Sequence, residues 1–165
     1  MAQKPLQLVS GVLTEVEATV VSAGAGDAGE IPALDGTGKL DISVMPLGIG
    51  ADVAVITATE NLSAGDYVNI HSGGVRLADN SNGRDAHGFV NAAVTSGNPA
   101  TVYFEGANAN LTGLTIGARY YLDTAGNATA TAPTVGGGAQ ISQFLGLAIS
   151  ATSINTDIDD KVVLA

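Results

Sequence analysis

From Val53 onward the hydrophobic residues come only in short pieces. These are VAVITA, YVNIH, VRLA, GFVNAAV, ATVYF, RYYL, ATATA, QFLGLAI and KVVLA, separated by segments rich in Gly, Asn and Asp. Runs of this length, rich in β-branched and aromatic residues and broken by turn signals at roughly 8–12-residue spacing, are the pattern of antiparallel strands. No long helical period, with apolar residues recurring every three or four positions, occurs in this part of the chain. The expected fold is all-β. An extended N-terminal arm with at most one strand, residues 1–50, precedes a small antiparallel β-barrel or sandwich, residues 51–165.

The β region also repeats itself. LSAGDYVNIHSGG, Leu62 to Gly74, matches LTIGARYYLDTAG, Leu114 to Gly126, with Gly65 aligned to Gly117, Ile70 to Leu122 and Gly74 to Gly126 at an offset of 52 residues. A weaker match joins HGFVNAAV, His87 to Val94, to LGLAISAT, Leu145 to Thr152, at an offset of 58. Two copies are too few for a solenoid, which needs three or more stacked units. The expectation is one domain built from a duplicated β unit, about residues 62–106 and 114–158.

A chain of 165 residues buries roughly 70% of its unfolded surface, so its core needs no disulfide or metal staple. It has no Cys, which excludes disulfides and thiolate chemistry. Sixteen acids against six bases give a net charge of −10, and the bases are scattered. Nucleic-acid binding gains its affinity from clustered Lys and Arg on phosphates, so this partner is not expected. No apolar run approaches the ~18 residues of a membrane span, and none is expected. The opening MAQKPLQLVS carries one Lys and no long apolar core, so no secretory signal is expected and synthesis in a cytoplasm is. Only 13% of residues are charged and 22 are Gly. That composition suits close-packed β structure and a surface that lies against another protein better than it suits a catalytic domain.

Within the arm, GVLTEVEATVV (residues 11–21) fits either a helix, as part of the 3–4 spacing of Leu6, Val9, Leu13, Val16 and Val20, or a strand, through the alternation of Val12, Thr14, Val16, Ala18 and Val20. The β-branched content favours the strand. GAGDAG, Gly24 to Gly29, has the letters of G-x-G-x-x-G but is followed by EIPALDG, which cannot be the helix a dinucleotide site requires; it reads as a linker. Then comes GEIPALDGTGKLDISVMP, Gly29 to Pro46, eighteen residues with a Pro near each end and Gly36 and Gly38 between. It is a poor helix and a poor central strand. Fully extended it reaches about 60 Å, and a ribbon with unpaired main-chain groups is suited to add to a neighbour's sheet edge. Leu40, Ile42 and Val44 alternate with Asp41 and Ser43, so a short strand here puts all three on one face. The candidate partner-binding residues are Ile31, Leu34, Leu40, Ile42, Val44 and Met45. The bland reading is a surface loop wrapping its own domain.

Catalytic and metal chemistry is sparse. His71 and His87 are the two histidines, each beside a Gly turn; His87 with Asp85 is the one conceivable acid–base pair, and no G-x-S-x-G elbow accompanies it. Turn histidines are the simpler reading. Asp157 to Asp160 offer carboxylates for a calcium ion but lack the D-x-D-x-D-G loop, so a solvated turn is expected. The sequons at Asn61, Asn110 and Asn127 read as chance in a Ser/Thr/Asn-rich chain. The four Tyr and three Phe all fall in expected strands and read as core or interface packing, because the bases that would accompany nucleic-acid stacking are missing. No cofactor is expected.

The stretch DAGEIPALDGTGKLDISVMPLGIGAD resembles a Gly-rich arm module of tailed-bacteriophage structural proteins. The pieces LSAGDYVNIHSGGVRLAD, AHGFVNAAV, ATVYFEG, LTGLTIGARYYLDTAG and QFLGLAISAT resemble the small β domains of phage capsid decoration (cement) proteins. The likeness covers roughly residues 27–155. It implies a non-enzymatic virion protein on the outer capsid surface that clamps neighbouring copies of the major capsid protein. It further implies self-association, as a homotrimer or else a dimer. Similar arms and β domains occur in phage head-fibre and tail-fibre or spike proteins, which makes a receptor- or glycan-binding protein the alternative. The acidic charge agrees with an outer location, since packed DNA repels it.

Overall fold

The computed structural model describes residues 6–45 and 52–164. The chain divides into two compact units, residues 1–50 and 51–165.

The second unit is all-β and antiparallel. Each of the nine apolar runs contains a strand, because each is just long enough to lay one pleated segment before a Gly, Asn or Asp turn. The first sheet has the order β3 (Val53–Thr57), β7 (Pro99–Tyr103), β6 (Gly88–Val90), β4 (Tyr67–His71), β5 (Gly74–Leu77). The second has the order β8 (Gly106–Asn108), β13 (Ile154–Thr156), β12 (Phe144–Ala148), β9 (Arg119–Leu122), β10 (Ala128–Thr129). A two-stranded pair, β11 (Ile141–Ser142) with β14 (Val162–Val163), completes the unit. The barrel expectation is not met, because neither sheet closes by strand pairing. In the first sheet the edges meet only at a single parallel bridge between Ala58 and Val75.

Both sheets carry the same pairing register. In the first, Tyr67 faces Phe89, Phe89 faces Tyr103 and Tyr103 faces Val53. In the second, Arg119 faces Leu147, Leu147 faces Asn155 and Asn155 faces Ala107. The turn bonds correspond too. The Gly65 amide donates to the Val90 carbonyl and the Gly117 amide to the Ala148 carbonyl, both at 2.8 Å. Gly88 and Gly146 hold equivalent places where a Cβ would run into the carbonyl of the neighbouring strand, at Tyr103 and Asn155 respectively.

Three apolar clusters hold this unit. One lies on the first sheet around Val68, Val90 and Val102. Another lies on the second around Tyr120, Ala148 and Ile154. The third joins the sheets, with Tyr67 and Phe89 from the first packed with Leu122 and Leu145 from the second.

The N-terminal unit begins with a hairpin, β1 (Leu6–Val9) paired to β2 (Val12–Glu15). Ser10 and Gly11 both have positive φ, 50° and 83°, as a two-residue hairpin turn of the primed type requires. The strand expected over residues 11–21 is thus confined to Val12–Glu15. Beyond it only Thr19 pairs, through a parallel bridge to Pro32.

Candidate partner-binding surface

The segment expected to be one extended ribbon folds back on itself. Leu34 and Leu40 pair antiparallel across a turn. The cause is Asp35, whose Oδ1 accepts hydrogen bonds from the Thr37 amide, the Thr37 hydroxyl and the Lys39 amide at 2.8–2.9 Å. A short acidic side chain that satisfies its own following amides is a turn-former. The Lys39 amide and then the Thr37 hydroxyl and amide hold the Asp35 carboxyl below its ordinary value of 3.8. The reach of about 60 Å for a straight eighteen-residue chain is therefore not realised.

A second correction follows at the next aspartate. Ile42–Val44 is a 3-10 turn rather than a strand, so Leu40, Ile42 and Val44 do not line one pleated face. The Asp41 carboxylate accepts the Ser43 amide at 2.9 Å, and the Ser43 hydroxyl and amide lower its pKa. Ser43 in turn accepts the Ser22 amide at 2.8 Å. On the other side, the Thr19 amide donates to the Ile31 carbonyl and the Ala33 amide to the Thr19 carbonyl, both at 2.9 Å.

Polar contacts thus fix this unit, and its apolar side chains are left outward. Ile31 is 46% exposed, Leu34 59% and Leu40 48%. Val44 and Met45 are half-buried, and the side chain of Ile42 lies outside the described residues. Sequence reasoning missed the largest part of this surface, the β1–β2 hairpin. Leu6, Leu8 and Leu13 share one face with Glu15, and Val9 and Val12 share the other, by the cross-strand pairs Leu6–Glu15, Leu8–Leu13 and Val9–Val12. Every one of its strand residues is exposed. The signal was the Ser-Gly pair between two alternating runs in LQLVSGVLTE.

GAGDAG forms a 3-10 turn over Ala25–Asp27, with no flanking strand or helix of a nucleotide site. His71 ends β4 and His87 precedes β6, and each accepts a backbone amide. The His71 Nδ1 accepts the Gly73 amide, which leaves its Nε2–H to donate to the Thr59 hydroxyl at 3.1 Å, so it is no base for that hydroxyl. His87 Nδ1 accepts the Ile70 amide at 2.9 Å, and its Nε2 lies 3.4 Å from the Asp85 carboxylate. The groove beside this pair is lined by Glu105, Asp157, Asp159, Asp160 and Lys161. Among the described residues, no three acidic or histidine side chains converge as metal ligands.

No protein-family model, curated protein or solved structure matches the chain.

Proposed function

We propose that the chain is a structural virion protein that binds the outer surface of an assembled phage capsid and stabilises it by clamping neighbouring major capsid proteins. The N-terminal unit is the docking element in this reading, and the protein is not an enzyme. The observation that carries it is the distribution of exposed apolar side chains. Among the described residues, ten of the eighteen large hydrophobic side chains left exposed belong to residues 6–45, and none of the buried hydrophobic ones does. An isolated two-stranded hairpin is marginal in water, and contiguous exposed apolar surface marks a contact site. Each leucine fully buried on docking contributes about 1.5–3 kcal/mol before ordering costs. The resemblance of the arm and β segments to decoration proteins supplies the partner, the assembled capsid.

The β domain is read as a duplicated unit, on the equal strand order and register of its two sheets. The head-fibre or tail-fibre reading remains the second one, and copy number separates the two. Electron cryo-microscopy of the particle should show a subunit on every capsomer; a few copies at special vertices would transfer the protein to the fibre class. A ligand of the assembled lattice stabilises it by mass action. Particles stripped of the protein should release DNA at a lower temperature than redecorated ones.

A further inference from the structure

We propose that Asn82 is a self-modifying site, where the Gly83 backbone nitrogen displaces the side-chain amide and the resulting isoaspartate loosens a loop that ties the two sheets of the β domain together. The site does not depend on how the N-terminal unit docks.

Asn82 and Gly83 form the one Asn-Gly pair in the chain. They sit in a loop closed by an antiparallel bridge. The Asp79 amide donates to the Arg84 carbonyl at 2.7 Å, and the Arg84 amide donates back to the Asp79 carbonyl at 3.1 Å. Asn82 is exposed, and Gly83 has φ 76°, a turn conformation that glycine adopts without strain. The Arg84 amide also donates to the Asn82 Oδ1 at 3.3 Å. This contact folds the side chain over the backbone that follows it, which keeps its Cγ near the Gly83 nitrogen and polarises the carbonyl under attack. Among the described residues, neither the Gly83 amide nor the Asn82 Nδ2 has a hydrogen-bond partner, so the nucleophile and the leaving group are both free. Glycine has no Cβ to obstruct the approach.

In the reaction the Gly83 nitrogen gives up its proton and bonds to Cγ. The bond from Cγ to Nδ2 breaks, ammonia leaves, and a succinimide ring closes. Solvent water, the only co-reactant, then opens the ring at either carbonyl. The products are aspartate, or isoaspartate with the main chain running through the β-carbon. Asn80 in the same loop is protected against this course. It is buried, its Nδ2 donates to the Leu122 carbonyl at 2.8 Å, and the Ser81 amide that would attack it is held by the Asp79 Oδ1 at 2.9 Å.

The loop follows β5 of the first sheet and is bonded to β9 and β11. Besides the Leu122 contact, the Asn80 carbonyl accepts the Gln140 and Ile141 amides at 2.8 and 3.2 Å. Isoaspartate lengthens the main chain inside the Asp79–Arg84 bridge by one carbon. The new carboxylate also competes for the Arg84 guanidinium with Glu60, which lies 3.2 Å from it. Both changes work against the bridge that holds Asn80 in place.

The test ages the full chain in warm, mildly alkaline buffer and follows the tryptic peptide Leu77–Arg84 by fragment mass spectrometry. Asn82 should convert ahead of Asn80 and of every other asparagine, isoaspartate methyltransferase should label the product, and the aged chain should melt at a lower temperature than fresh chain. Asn82→Gln, a change at an exposed site, closes its larger imide ring slowly and should keep its melt and stay unlabelled through the same ageing. An intact Asn82 in the aged chain, conversion without isoaspartate, an aged chain that melts as the fresh one does, or an equal loss in Asn82→Gln would each overturn the assignment.

Discussion

Residues 6–45 and 52–164 draw on the same small, weakly charged, Gly-rich composition, yet they hold their shapes by different means. Among the described residues, the β domain buries seventeen hydrophobic side chains, all from Ala58 onward. The described residues of the N-terminal unit bury none and are fixed instead by aspartate-capped turns at Asp35 and Asp41 and by isolated bridges from Thr19 and Leu34. Capped turns set backbone direction without removing apolar surface from water. A segment built this way has a defined local path and keeps its leucines available, whereas a segment with a core has spent them.

The largest effect that would break this contrast is a core truncation. Phe89→Ala, at a fully buried site between the sheets, should cost about 3–5 kcal/mol. Leu8→Ala or Leu13→Ala in the hairpin should move global stability by no more than about 0.5 kcal/mol. Denaturant unfolding of the full chain checks both, and a large loss from either leucine would mean that the hairpin is part of the core. By the same reasoning, fragment 51–165 should stay folded with an unchanged melt by circular dichroism.

A smaller effect compares glycines. Gly146 has φ 151° and sits where a Cβ would strike the Asn155 carbonyl, so Gly146→Ala should cost about 1–3 kcal/mol, a strain-sized penalty. Gly36 in the capped turn has ordinary φ and open space, and Gly36→Ala should leave the melt unchanged. Equal effects would remove the distinction between a packed sheet and an open turn.

Much of this was legible in the residues. Short apolar runs gave the strands, and the Gly65–Gly117 spacing anticipated the two equivalent turn bonds, whereas Gly74 lies in β5 opposite His71 and Gly126 lies in the turn before β10, so that pair does not match. Three short strands, β8, β11 and β13, escaped notice since GAN, IS and INT carry too few apolar residues to show a period. The segment from Gly29 to Pro46 was read with the wrong shape. Alternation through Leu40, Ile42 and Val44 looked like a strand, but hydrogen bonds from Asp35 and Asp41 to nearby amides outweighed a weak β preference. The hairpin was lost because one strand was read over residues 11–21, without the Ser10–Gly11 turn that pairs Val12–Glu15 with Leu6–Val9.

The smallest expected effect is on pH dependence, and it falls mainly on the β domain. Burial pushes Asp79 up, but hydrogen bonds from Ser81 and the Ala125 amide, with Arg84 nearby, hold it below 3.8. Asp85 is likewise raised by burial and lowered further by Lys161 and His87, ending below 3.8. Their stabilising contribution is fully present above that value and is lost as pH falls through the lower folded values. Melting temperature should therefore hold as pH falls toward 3.8 and drop below it, with Asp79→Asn showing a shallower drop. An identical acid profile for Asp79→Asn would remove this carboxylate from the account.

The most direct measurement of the central claim is binding of the full chain to assembled, stripped capsids after Ile31, Leu34 and Leu40 are all changed to Asp. These side chains are exposed and no core depends on them, so the β domain should keep its circular dichroism spectrum and its melt. The expected result is loss of decoration with folding intact. Decoration at the unaltered affinity would show that the N-terminal unit is not the docking element.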